Sequence, residues 1–160
     1  MKYIGILLVL LSAFFYSREY TRYMKKRLGE CEGFLAFISH MRIQVGCFLR
    51  PTRELSTGFS SEPLSDSGFL SALSECGSIY DAYKKTESRL SLSKEERSVL
   101  ETLFSSVGEV YLDDGIKLID SSFSAMEKLT FKLREECHKN IKLVCAISVT
   151  AALGLIIFVI

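Results

Sequence analysis

Residues 143–160 read LVCAISVTAALGLIIFVI and contain no charged side chain. As an α-helix, this stretch would extend about 27 Å, close to the ~30 Å hydrocarbon core of a bilayer. In a soluble protein, a helix this apolar would have to be covered on every side. The stretch therefore predicts a C-terminal transmembrane helix over residues 143–160.

A second apolar segment occupies residues 3–16. It would extend about 21 Å as a helix, and Arg18 can lengthen the usable span by reaching back to the membrane surface. A cleaved signal peptide is the alternative, because Lys2 precedes the apolar run. However, Phe14–Tyr16 stand where cleavage needs small residues. The pattern thus favours an uncleaved transmembrane helix over residues 1–17.

Basic residues border both apolar segments on the side of the intervening chain, and we call them the basic collar. By the positive-inside rule, this places residues 18–142 in the cytoplasm and both termini outside. The same side chains are suited to contact anionic membrane lipid, although a role in topology alone is equally open. The basic collar comprises Arg18, Arg22, Lys25, Lys26, Arg27, Lys139 and Lys142.

The intervening segment, 18–142, contains all 19 acidic residues and every basic residue except Lys2. It therefore has no net formal charge, and the whole chain carries only +1. A nucleic-acid-binding surface needs a basic excess or stripe. Nucleic acid is accordingly excluded as an expected partner.

Apolar residues in the first part of this segment recur at helical spacing and form one wide face. They are Leu28, Cys31, Phe34, Leu35, Phe37, Ile38, Met41, Val45, Phe48 and Leu49. We predict that this helix ends near Pro51, that Ser56–Gly68 is a loop, and that Phe69–Tyr83 form a second helix. Ser93 and Glu96 predict a capping box that starts a third helix, ending near Gly108.

A final helix is predicted from about Asp113 straight into the last apolar segment. The fold class is thus all-α: a membrane-anchored helical bundle with one transmembrane helix at each end. Its domains are the N-terminal transmembrane helix (1–17), the cytoplasmic helical bundle (18–142) and the C-terminal transmembrane helix (143–160). The two long helices are expected to run antiparallel as a stalk, with the shorter helices packed on it.

Catalytic chemistry is not indicated. His40 and His138 lack metal-ligand spacing, and Asp113–Asp114 precede a helix, where negative charge is favourable without catalysis. The five cysteines form no C-x-x-C pair, so neither a disulfide framework nor a zinc site is expected. We predict no catalytic residue, no metal, no cofactor and no small-molecule substrate, and hence that the protein is not an enzyme.

Four stretches of the sequence carry a resemblance to a known family: Lys2–Gly5, Val45–Leu55, Gly77–Tyr83 and Leu153–Ile157. They resemble the stage III sporulation protein AB family of endospore-forming Firmicutes. They match its K-x-I-G opening, its helix followed by a proline-initiated turn, its G-x-x-x-x-A-[WY] stretch and its closing apolar segment. The resemblance covers nearly the full chain.

The resemblance implies a structural role in the secretion-like membrane complex that links mother cell and forespore during sporulation. Members have a soluble domain similar to the cytoplasmic domain of the type II secretion platform protein. The implied partners are a secretion-type ATPase and other membrane proteins of that complex. The bundle would then lie in the mother-cell cytoplasm, with the anchors in the mother-cell membrane that faces the forespore. A membrane-anchored coiled-coil sensor or signalling subunit is the alternative.

The partner surface is predicted at the membrane-distal end of the bundle. That end is expected to hold the Ser56–Gly68 loop and the turns near Ser91 and Gly108, and loops on a rigid scaffold are common contact surfaces. Charged residues there would form the polar rim of a transient interface. The candidate interface residues are Arg50, Arg53, Glu54, Asp66, Lys94 and Glu95.

Overall fold

The computed structural model describes residues 2–44, 58–106 and 112–159, and they contain helices and connections but no strand. The all-α prediction is confirmed for these residues. A short 3₁₀ helix, Glu87–Arg89, follows the fourth α-helix. The α-helices are α1 Lys2–Ile43, α2 Glu62–Asp66, α3 Phe69–Glu75, α4 Ile79–Thr86, α5 Lys94–Ser106 and α6 Leu112–Val159.

The chain divides into two compact units. One, the terminal unit, comprises Met1–Lys25 and Leu133–Ile160, and the other, the bundle unit, comprises Lys26–Lys132. In the terminal unit, the amide of Asn140 on α6 donates to the Tyr20 hydroxyl on α1 over 3.4 Å. Among its described residues no helix combines the length and apolarity that a membrane span requires, and the same holds for the bundle unit.

The core of the bundle unit is an aromatic cluster, which we define as Phe34, Phe37, Phe69, Tyr83 and Phe104. Each of these side chains is almost fully buried. Phe34 and Phe69 meet edge to face with ring centroids 5.1 Å apart, and Phe104 lies within 6.2 Å of both Phe34 and Phe37. These are favoured aromatic geometries. The cluster thus joins α1 to α3, α4 and α5, as the predicted apolar faces require.

The predicted loop Ser56–Gly68 is only partly a loop, because α2 lies within it. Pro63 stands in the first turn of α2, where its missing N–H breaks no helical hydrogen bond. Leu64 is fully buried against α1. A Cβ atom at Gly33 of α1 would stand 2.9 Å from the Leu64 Cγ. The glycine therefore permits the close approach that buries Leu64 and stabilises this short helix.

The predicted second helix, Phe69–Tyr83, is wrong as one element, since α3 ends at Glu75 and α4 begins at Ile79. Ser78 has an extended backbone (φ −132°, ψ 144°), which a continuous helix cannot contain. Its hydroxyl accepts a hydrogen bond from the Tyr80 N–H over 3.2 Å. The serine is an N-cap, and it starts a new helix instead of continuing the old one.

The capping box is confirmed at the start of α5. The Glu96 N–H donates to the Ser93 hydroxyl over 3.3 Å, and the Ser93 N–H donates to the Glu96 carboxylate over 2.6 Å. The continuous final helix is also confirmed as α6. Arg42, near the end of α1, contacts Asp120 near the start of α6 over 2.7 Å, as an antiparallel pair requires. The predicted stops at Pro51 and Gly108 lie outside the described residues.

Candidate functional site: the basic collar and a buried polar cluster

The basic collar is divided between the two units. Arg18, Arg22 and Lys25 belong to the terminal unit and are exposed. Lys26 and Arg27 belong to the bundle unit, where both contact other elements. The Lys26 ammonium donates to the Arg89 carbonyl over 3.3 Å, and the Arg27 guanidinium binds a carboxylate on α5. Two collar residues therefore stabilise the fold, whereas the other five, Lys139 and Lys142 included, are exposed and belong to the terminal unit.

Arg27 and Glu96 form a bidentate ion pair, with N–O distances of 2.6 and 3.2 Å. The Glu96 side chain is 2% exposed and that of Arg27 is 21% exposed. Burial raises the pKa of Glu96, but the hydrogen bonds from Arg27 and from the Ser93 N–H outweigh it, so the pKa lies below its ordinary value. One carboxylate thus caps α5 and joins α5 to α1.

Glu30 lies one turn further along α1, and its side chain is fully buried. One oxygen accepts the Ser91 N–H over 2.6 Å. The other lies 3.7 Å from the Lys26 ammonium and forms no hydrogen bond within the described residues. Burial raises the pKa of Glu30, and the contacts with Ser91 and Lys26 offset this only in part. We define Arg27, Glu30, Ser93 and Glu96 as the polar cluster.

Cys31 adjoins this cluster and is fully buried. Burial and the nearby Glu96 carboxylate both raise the pKa of its thiol, so the reactive thiolate is suppressed. Cys76 and Cys137 are free thiols as well. Cys47 and the side chain of Cys145 lie outside the described part. Among the described cysteines, Cys31 and Cys137 are buried and Cys76 is partly exposed. The suppressed thiolate makes Cys31 unsuited to nucleophilic chemistry.

The polar cluster corrects one prediction. The turn near Ser91 was expected at the membrane-distal end, together with Lys94 and Glu95, but Ser91 binds Glu30 and Arg89 binds Lys26. The connection therefore lies beside a collar residue. The cause is the Glu96 carboxylate of the capping box. It binds Arg27 of α1 and so holds the start of α5 beside that residue.

The remaining interface candidates are dispersed. Asp66, Lys94 and Glu95 are exposed, the first on α2 and the others at the start of α5. Arg50, Arg53 and Glu54 lie outside the described residues. Sequence reasoning also missed Glu30, although its position fits the buried stripe of Phe34, Phe37 and Met41 at helical spacing. A charged residue at a core position was the signal that could have identified it.

The two histidines belong to different units. His40 is half-buried at the edge of the apolar face, with its Nε2 at 2.8 Å from the Gln44 amide and its ring 5.4 Å from Phe59. His138 is exposed beside Arg134 and Lys139. Asp114 is exposed and pairs with Lys117. The described residues contain no group of three or more histidine, cysteine or acidic side chains placed to hold a metal ion.

Comparison with known proteins gives one finding. No curated protein and no solved structure matches the chain. The family model described as stage III sporulation protein AB matches residues 2–160. Since this match extends over nearly the whole chain, the chain belongs to the stage III sporulation protein AB family.

Proposed function

We propose that the chain is a membrane-anchored structural component of the secretion-like complex between mother cell and forespore, and that its helical bundle docks a secretion-type ATPase. The observation that carries the proposal is the family match over residues 2–160. The role needs no catalytic group of its own, because the partner supplies the ATP hydrolysis.

Membrane anchoring is supported by the distribution of apolar surface. Seven of the nine large hydrophobic side chains that are exposed in the described residues belong to the terminal unit: Leu11, Phe14, Phe15, Tyr16, Tyr23, Leu143 and Ile147. Such a concentration is unfavourable in water and suited to contact with lipid. The stretch 143–160 adds 18 mostly apolar residues without a charge, which is the composition that a membrane-spanning helix requires. The anchors are accordingly 1–17 and 143–160, with residues 18–142 in the mother-cell cytoplasm.

The surface of the bundle unit supports a docking role. Lys84 pairs with Glu101 and Lys85 pairs with Glu75, each over 2.7 Å on exposed side chains. Exposed pairs of this kind contribute about 0–1 kcal/mol to stability. They can exchange their partners for charges on another protein without unfolding the helices that carry them.

Binding of the ATPase is tested with the full chain in mild detergent as bait. Charge reversals at Arg50, Arg53, Glu54 and Asp66 should weaken capture by on the order of tenfold or more. Reversals at Asp114, Lys117, Glu127 and Lys128 on α6 are the control, matched in number and net charge, and should leave capture intact. Capture that survives the first set and is lost on changes from Arg22 to Arg27 would place the contact at the collar and refute this surface.

Two further tests address topology and catalysis. A reporter fused after Ile160 should be found outside the cytoplasm, and the protein should resist alkaline extraction from membranes.

Alanine at His40, His138, Asp113 and Asp114 should leave sporulation intact. Loss of sporulation in a folded, inserted variant would instead favour an enzyme.

A further inference from the structure

One face of α1 in the terminal unit forms an open groove of about 590 Å³. Its described lining contains three basic side chains and one aromatic ring but no acidic residue: Phe14, Ser17, Arg18, Thr21, Arg22 and Lys25. Arg18, Arg22 and Lys25 follow one another at helical spacing, so their positive ends share one face. The exposed ring of Phe14 stands one turn before Arg18.

No described residue that lines the groove has a negative charge that could pair with its basic side chains. The Thr21 hydroxyl donates to the Ser17 carbonyl over 2.8 Å, so that this donor is already satisfied. Glu19 is the one acidic residue before Glu30 in the sequence, and it does not appear among the groove's described lining residues. Lys26 and Arg27, in contrast, bind elements of the bundle unit. Within the collar, Arg18, Arg22 and Lys25 are thus the residues arranged to hold an external anion.

The chemistry of the ligand follows from the lining. Two guanidinium groups and one ammonium bind phosphate oxygens through charge-assisted hydrogen bonds. An aromatic ring beside them suits an apolar chain attached to that phosphate. We propose that the groove is a binding site for the phosphodiester headgroup of an anionic phospholipid, with the acyl chain against Phe14. This deepens the proposed function and rests on its membrane anchoring.

The test uses the full chain in neutral detergent with fluorescent phosphatidylglycerol and phosphatidylcholine as probes. Each basic residue near an anionic headgroup contributes about 1 kcal/mol, so three predict a preference on the order of a hundredfold. Changing Arg18, Arg22 and Lys25 to glutamine should abolish this preference. The same change at Lys117, Lys128 and Lys132, exposed residues of the bundle unit, removes equal charge and should preserve it.

Three outcomes would overturn the proposal. One is equal affinity of the wild-type chain for the two lipids, and another is an equal loss of preference in the control variant, which would indicate charge alone. The third is glycerol phosphate binding as tightly as phosphatidylglycerol, since the site would then be one for free phosphates. Alkaline extraction of the same variants from membranes tests membrane anchoring separately from lipid binding in the groove. An inserted chain without lipid preference refutes the groove only, whereas a chain that is not inserted refutes both.

Discussion

The aromatic cluster and the polar cluster both join α1 to α5, but they constrain the fold differently. Phe34 and Phe37 meet Phe104 at ring distances of 6.2 Å, and Arg27 meets Glu96 through two hydrogen bonds. Apolar burial is non-directional and scales with area, whereas a bidentate pair requires one geometry. The aromatic cluster therefore supplies most of the stabilisation, and the polar cluster fixes where along α1 the start of α5 lies.

The largest expected effect comes from truncating the aromatic cluster. Phe34→Ala removes a fully buried ring that contacts Phe69, Tyr83 and Phe104. We expect a loss of about 3–5 kcal/mol in the free energy of unfolding, because transfer and cavity terms add. Urea unfolding in mild detergent, followed by circular dichroism, measures it. Phe131→Ala is the control, since that ring is 62% exposed, and its loss should stay within about 0.5 kcal/mol.

A smaller but still large effect is expected in the polar cluster. Arg27→Ala leaves the buried Glu96 carboxylate without its cation, and breaking such a pair costs about 3–5 kcal/mol when both charges are fully buried. Because Arg27 is 21% exposed, we expect about 2–3 kcal/mol. Lys128→Ala, at an exposed side chain of α6, should change the free energy of unfolding by no more than about 0.5 kcal/mol. Equal losses for the two variants in the same unfolding assay would contradict the specific role of the pair.

The same contrast explains how much the sequence predicted. The apolar periodicity identified the buried face of α1, and the Ser93–Glu96 spacing identified the start of α5, because both are local patterns. Arg27–Glu96 and Glu30–Ser91 join residues 69 and 61 positions apart. No local pattern encodes such pairings. For that reason the connection before α5 was predicted at the wrong level of α1.

The errors at α2 and at the break between α3 and α4 have a similar origin. Ser56–Gly68 has the composition of a loop, but Leu64 finds a complementary site at Gly33, which lies more than 25 residues away in the sequence. Ser78 is one serine among many, and only its extended backbone identifies it as an N-cap. Within the candidate site, the basic collar was predictable from the sequence, because its charges cluster beside the two apolar segments. The division into open and internally paired members required contacts between distant residues.

The smallest expected effect is on the pH dependence of stability. Its sign differs between the two buried carboxylates of the polar cluster, Glu30 and Glu96. The pKa of Glu30 is raised in the folded state, so its protonated form is favoured there. The stability linked to this group is complete below its ordinary pKa and is lost as the pH rises through the folded value. The pKa of Glu96 is lowered, so its contribution is present at neutral pH and is lost on acidification through the folded value.

Glu30→Gln removes the buried charge while keeping a carbonyl oxygen that can accept the Ser91 N–H, which Glu30 now accepts over 2.6 Å. The stability of this variant relative to wild type should therefore rise with pH above the ordinary carboxyl pKa and then level off. Glu96→Gln should show the opposite slope, because Arg27 loses a charged partner only at pH values where Glu96 is ionised. Thermal unfolding of both variants from acidic to neutral pH measures the two slopes. If the Glu30→Gln curve runs parallel to wild type throughout, the Glu30 carboxylate is not desolvated in the folded protein, and Ser91 is then held by an ordinary surface acceptor.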